Sequence, residues 1–249
     1  MQKSVELNCN GLTLRGTVHI PENKNEKHPF VAMYHGFTGN KIEVGFSFVK
    51  LSRQLEKAGI GSVRFDFSGS GESDGLFEDM TVSREISEAR RIYEFMSGLE
   101  CADPGSLFLV GFSNGGLIAS VLAPELEGVK ALVLWAPAGN MADLGERSVC
   151  FTDEAGRMDI GGLLLNPGFV DDVKSIDIYG RAAKYKGEVL IVHGTRDQVV
   201  PLEGSYRYRD IYKERLKLVE VEDASHLFDR VSWKDKLIGT TVEFLVEHK

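Results

Sequence analysis

The sequence predicts the α/β fold class, a mostly parallel sheet flanked by helices, and three observations carry that expectation. Short apolar runs recur at 30–34, 60–65, 107–112, 131–135 and 189–193 without strict alternation, the mark of strands buried on both faces. Helical apolar stripes lie between them. Strand and helix alternate along the chain, as parallel crossovers require. A length of 249 residues suits one large α/β unit and allows a sizeable core.

The N-terminal elements differ from the rest. Residues 4–8 and 12–20 alternate, and Asn10-Gly11 between them is a strong hairpin signal, so the chain should open with an antiparallel pair. A charged loop follows at 21–28, and then the apolar runs begin. Residues 46–57 place Phe48, Leu51, Leu55 and Ala58 at helical spacing. Residues 82–99 place Ile86, Ala89, Ile92, Tyr93 and Met96 on one stripe, with Thr81 as N-cap. Residues 116–122 start a helix directly after a strand, 216–221 read as a further strand, and 234–247 bury Leu237, Ile238, Phe244 and Leu245. One interval breaks the rhythm. Residues 138–187 separate two core strands by far more than the ~12–25 residues of a one-helix crossover. They carry Met141, Leu144, Phe151, Met158, Ile160 and Phe169, so they are expected to form a small cap or lid within a single domain of residues 1–249.

Composition excludes several roles. Hydrophobic residues at 43% and charged residues at 27% exclude a disordered or collagen-like chain. A net charge of −8 argues against nucleic-acid and anionic-membrane partners. Cys9, Cys101 and Cys150 are widely spaced, which points to free thiols rather than a disulfide framework or a metal site. The first residues lack the apolar core of a signal peptide, and the longest apolar runs fall far short of a bilayer span, so a cytoplasmic location is expected.

The pattern Gly-x-Ser-x-Gly occurs twice, and its context separates the copies. Gly71-Glu72-Ser73-Asp74-Gly75 runs into more loop. Gly111-Phe112-Ser113-Asn114-Gly115 follows an apolar strand and opens a helix at once, the strand-turn-helix setting that exposes a nucleophile. Ser113 is therefore the expected nucleophile. A serine hydroxyl needs a base. Of the six histidines, His226 lies in a loop after the last strand and can reach the elbow. His35 and His193 end strands and read as packing groups. Asp197 follows the strand 189–193 through a tight Gly-containing turn and is the expected carboxylate partner, with Asp223 and Asp66 as rivals. The backbone N–H of Asn114 and that of Phe37, in His35-Gly36-Phe37-Thr38-Gly39-Asn40, are the expected oxyanion donors.

Together these residues resemble the α/β-hydrolase family, and more closely the bacterial cinnamoyl (feruloyl) esterases. The likeness runs through the Phe37 loop, the Ser113 elbow, His193-Gly194-Thr195-Arg196-Asp197 and Ser225-His226-Leu227-Phe228. It implies an eight-stranded sheet with a cap inserted after the sixth strand, shaping a pocket for an aromatic acyl group. It also implies that Asp143 holds a phenolic hydroxyl of the substrate. Asn114 departs from the Gln often found at that elbow position, which leaves its side-chain role open.

The expected function is a carboxylic ester hydrolase that forms an acyl-enzyme and needs no cofactor or metal. Its substrates are expected to be hydroxycinnamate esters or other small aromatic or short-chain esters. The alternatives are a thioesterase or lipase-like short-chain esterase and, remotely, a non-catalytic ligand-binding homologue. The expected partner is a small-molecule ester, and a homodimer is left open. Activity should decline on the acid side at roughly pH 6–7, where an ordinary imidazole takes up a proton.

Overall fold

The structure is a computed structural model that describes residues 1–22, 26–141, 151–154 and 156–249. The chain opens with the antiparallel pair β1 (Gln2–Cys9) and β2 (Leu12–His19). Asn10 and Gly11 both take positive φ, 52° and 82°, which is the hairpin geometry their sequence announced. There follow β3 (His28–Tyr34), α1 (Ser47–Lys57), β4 (Gly61–Phe65), α2 (Val82–Ser97), β5 (Ala102–Phe112), α3 (Asn114–Leu122) and β6 (Val129–Trp135). An insertion carries the short strands β7 (Phe151–Thr152), β8 (Met158–Ile160) and β9 (Leu163–Leu165), then α4 (Gly168–Ser175) and α5 (Ile178–Ala182). The chain closes with β10 (Glu188–Gly194), α6 (Glu203–Tyr212), β11 (Leu216–Val221) and α7 (Val231–Glu247).

Eight strands form one sheet in the order β1-β2-β4-β3-β5-β6-β10-β11. Pairing is antiparallel from β1 to β4 and parallel from β4 to β11. The near-continuous apolar runs follow from burial on both faces. Val31, Met33, Phe108, Val110 and Val192 face α1 and α7 through Phe48, Leu51, Leu237 and Phe244. Ala32, Tyr34, Leu109 and Ile191 face the opposite side, where α2, α3 and α6 supply Ile92, Leu117 and Tyr208. The α2 cap is the expected one: Thr81 Oγ1 accepts the Arg84 N–H at 3.1 Å.

Some boundaries shift. The last helix starts at Val231, not 234, and Phe46 lies outside α1 in a left-handed conformation (φ 60°) with its ring exposed. Helix α6 has no counterpart in the sequence reading.

Between β6 and β10, the three short strands form their own antiparallel sheet. It is tied to the 77–79 turn: Arg157 Nη1 meets Glu78 Oε2 at 2.7 Å, and Asn166 Nδ2 donates to the Glu78 carbonyl at 2.8 Å. Phe169 of α4 stacks on Phe37 at 5.4 Å between ring centroids. The insertion therefore lies over the ends of the strands that the functional side chains follow. Among the described residues no helix is long and apolar enough to cross a membrane.

Candidate active site

Ser113 sits where β5 turns into α3, at φ 54° and ψ −115°. A non-glycine residue held there is strained by about 1–3 kcal/mol and persists only where its surroundings hold it. They do. Ser113 N donates to the Trp135 carbonyl at 2.8 Å, and its own carbonyl accepts from Gly116 N at 3.0 Å and Ala138 N at 3.0 Å. The flanking glycines are obligatory. A Cβ on Gly111 would stand 2.1 Å from the Gly115 carbonyl oxygen, and one on Gly115 would stand 2.0 Å from that of Tyr34.

Three elements converge on this serine. His226, in the loop after β11, has Nε2 3.1 Å from Ser113 Oγ and Nδ1 2.6 Å from Asp197 Oδ2. The loop is pinned on both sides of the imidazole: the Ala224 carbonyl accepts from Arg196 N at 3.0 Å, and that of Leu227 accepts from Lys234 Nζ at 2.8 Å. Asp197 Oδ1 accepts the N–H groups of Val199 and Val200 at 2.9 and 2.8 Å. Burial pushes the Asp197 carboxyl up. The hydrogen bonds from His193 and His226, the His226 charge and the Val200 N–H outweigh that and hold it well below the usual carboxylate range. An ionised carboxylate on Nδ1 fixes the tautomer that leaves Nε2 free to accept the hydroxyl proton.

The N–H groups of Phe37 and Asn114 have no acceptor among the described residues. The Gly36–Phe37 peptide is held by the atoms around it. His35 Nε2 accepts the Phe67 N–H at 3.0 Å, so Nδ1 carries the hydrogen and donates to the Gly36 carbonyl at 2.9 Å. Glu43 Oε1 takes the Gly36 N–H at 2.7 Å. A peptide whose C=O is fixed in this way has its N–H turned to the opposite side. The Asn114 side chain turns away into the core, where Nδ2 donates to Glu85 Oε2 at 2.6 Å, which settles the role that its departure from Gln left open.

A cavity of about 400 Å³ opens over Ser113 and His226, walled mainly by Phe37, Val44, Phe112, Met141, Ile160, Val199 and Leu227. A hydroxyl, an imidazole and an ionised carboxylate in line, with two N–H groups beside an apolar cleft, can carry out acyl transfer through a tetrahedral intermediate.

A family model, serine aminopeptidase S33, matches residues 25–151, just over half of the chain. The chain belongs to the serine aminopeptidase S33 family. It is a hydrolase family, and the matched stretch contains the Phe37 loop and Ser113 but stops before Asp197 and His226. An uncharacterized 31.7 kDa protein from the traX-finO intergenic region of Escherichia coli is 29% identical over 117 residues, 47% of this chain. The match spans only 40% of that relative's length. An uncharacterized protein of Mycobacterium tuberculosis is 26% identical over 216 residues, 87% of this chain and 69% of its own. Among solved structures, Est1E from Butyrivibrio proteoclasticus with ferulic acid bound superposes with a TM-score of 0.87 at 27% identity, covering 98% of both chains. The esterase domain of a Rhodothermus marinus protein shares the fold, with a TM-score of 0.77 at 19% identity over 100% of this chain and 99% of that one.

The remaining sequence candidates in this S33 family member separate cleanly. Ser73, in the first Gly-x-Ser-x-Gly, donates to the Asp66 carbonyl at 2.7 Å and accepts from Arg15 N at 2.8 Å, a purely structural pairing. Asp66 takes Lys41 Nζ at 2.5 Å, and Asp223 pairs with Arg196 at 2.7 Å. Asp143 lies outside the described residues. His35 and His193 are buried at strand ends, as packing groups would be, and each also makes hydrogen bonds next to the site: His35 holds backbone through both ring nitrogens, while His193 holds the Val200 carbonyl through Nε2 and the Ser205 hydroxyl through Nδ1. Glu43 and Lys234 were not foreseen. Glu43 folds back on the N–H groups of Gly36 and Val44 in its own loop, and Lys234 reaches the Val44 carbonyl across the fold, so no periodic pattern marks either.

Proposed function

We propose that the protein is a serine esterase acting through an acyl-enzyme. Ser113 attacks the ester carbonyl, His226 takes the hydroxyl proton and returns it to the leaving alcohol, and Asp197 orients His226. The Phe37 and Asn114 N–H groups hold the oxyanion. His226 then activates water, which releases the acid. The observation that carries the reading is the Ser113–His226–Asp197 line, with spacings of 3.1 and 2.6 Å, at the floor of an apolar cleft.

The substrate class follows from the walls. Phe37 and Phe112 line the cleft and suit a flat aromatic acyl group, and the likeness to Est1E with ferulic acid supports hydroxycinnamate esters first and other small aromatic or short-chain esters second. From the insertion, Met141 and Ile160 wall the pocket, which fits a cap that shapes the acyl site.

The family's description favours a second reading, an aminopeptidase. Such an enzyme must bind the free ammonium of its substrate, which calls for an unspent carboxylate. The carboxylate among the described lining residues, Glu43, is already committed to the N–H groups of Gly36 and Val44, so the ester reading stands first. A panel of acetate, butyrate, octanoate and hydroxycinnamate esters beside aminoacyl anilides separates the two. Turnover of methyl ferulate or methyl cinnamate well above that of the anilides is expected. Preference for the anilides would overturn the esterase assignment.

A further inference from the structure

The carboxylate of Asp197 faces two histidines, and the reaction proposed above uses only one. His193 ends β10 and is fully buried. Its Nε2 lies 3.0 Å from the Val200 carbonyl and 3.1 Å from Asp197 Oδ2. Both are acceptors, so Nε2 carries the hydrogen. The N–H binds the Val200 carbonyl and presents its positive end to Oδ2. The other ring nitrogen, Nδ1, then accepts from Ser205 Oγ at 2.7 Å. Ser205 lies on α6 and is fully buried. A second serine–histidine pair thus meets the same carboxylate from inside the core.

We propose that His193, backed by Ser205, is a positioning residue for the reaction: it holds Asp197 so that Oδ2 faces His226. The inference rests on the esterase reading. The mechanism is a double hold. His193 grips the Val200 carbonyl, and the Val200 N–H in turn grips Asp197 Oδ1 at 2.8 Å, so the turn cannot rotate the carboxylate away. The N–H dipole beside Oδ2 also shares the anion with His226. Removing it leaves Oδ2 more negative toward His226, favours the imidazolium, and moves the acid limb of the activity profile to higher pH. Other charged groups around the pair are the Arg196–Asp223 ion pair at the rim, Asp229 bonded to Ser225, Lys234 on the Leu227 carbonyl, and Glu43 on the Gly36 N–H. All of them are kept in the variants below.

The test compares His193→Met, which loses the donor, with His193→Gln, whose amide restores an N–H at the position of Nε2. The probe is p-nitrophenyl butyrate, followed from pH 5 to 9, with a thermal melt for each variant and Ser113→Ala as control. His193→Met should lower kcat by ~10- to 100-fold, the usual effect of a slightly misplaced group. KM should stay near the wild-type value and the acid limb should move up, while His193→Gln recovers most of the rate and the wild-type limb. Ser205→Ala, which keeps the imidazole and its Nε2 hydrogen but leaves Nδ1 without its donor and the ring less firmly held, should move the limb in the same direction by less, and decides the matter if His193→Met does not fold. A wild-type limb in a folded His193→Met, or in Ser205→Ala where the Met variant is unfolded, overturns the assignment while leaving the esterase reading intact. Turnover surviving in Ser113→Ala overturns both.

Discussion

Two serine–histidine pairs meet at Asp197, and the fold treats them in opposite ways. Ser113 and His226 come from a strained elbow and a loop, and they open onto a cleft of about 400 Å³ beside two N–H groups that have no acceptor among the described residues. Ser205 and His193 come from the first turn of a helix and the end of a strand, and both are sealed in the core. The spacing is no looser in the sealed pair: 2.7 Å against 3.1 Å from serine oxygen to imidazole nitrogen. Hydrogen bonding to a histidine therefore does not by itself make a serine reactive. In the mechanism proposed above, access, the forced backbone at Ser113 and the two N–H groups beside it make the difference.

The largest expected effects test that contrast directly. Ser113→Ala should lower kcat by ~10⁴–10⁶ and abolish labelling by a fluorophosphonate, with no label transferring to Ser205. Label found on Ser205 would break the comparison. Asp197→Asn touches both pairs and should cost ~10⁴ in kcat on the best ester of the panel, because the amide favours the wrong His226 tautomer. The same variant has a stability signature. The folded carboxyl of Asp197 is held below its unfolded value of ~3.9, so its contribution is fully present above that pH and is lost as pH falls through the lower folded value. The gap in urea midpoint between wild type and Asp197→Asn should be widest near neutrality and shrink below about pH 4.

Much of this was legible in the chain itself, and the illegible parts have physical reasons. The parallel strands announced themselves because burial on both faces leaves little room for polar residues. Ser113 stood out because the elbow needs glycine on either side, and Asp197 and His226 because each follows a strand at the same sheet edge. Helix α6 did not stand out. Its buried face is made of Ser205, Tyr208 and Tyr212, which read as polar, set among charged neighbours. The short strands of the insertion, two or three residues each, are too brief for any period to show. The second pair at Asp197 was invisible because Ser205 and Val200 reach His193 only when a turn and a helix fold back on β10.

A third prediction sets Asp197 against another buried carboxyl. Burial and the charge of Glu88 raise Glu85 well above the usual carboxylate range, and the hydrogen bond from Asn114 only partly opposes them. Its sign is the reverse of that of Asp197. The unfolded chain releases this proton at ~4.3 while the folded chain keeps it, so stability from this group falls as pH rises from there toward the raised folded value. Glu85→Gln mimics the protonated acid and should remove that decline. Urea midpoints of the variant and wild type should converge near pH 4 and separate in the variant's favour toward neutrality. A parallel pair of curves would mean that Glu85 is ionised in the fold.

The smallest effect is the sharpest test of the two pairs, because it asks for activity and stability to part company. Ser205→Ala strips a buried hydroxyl and leaves His193 Nδ1 without its donor, a loss of about 1–3 kcal/mol. Ser113 faces the cleft, so after Ser113→Ala water can satisfy His226, and stability should change by less than about 0.5 kcal/mol. Turnover should behave in the reverse order, nearly abolished in Ser113→Ala and within about tenfold of wild type in Ser205→Ala. Urea unfolding and ester hydrolysis on the same two preparations would show whether one hydroxyl serves the chemistry and the other serves the frame. Equal ranking in both assays would dissolve the distinction.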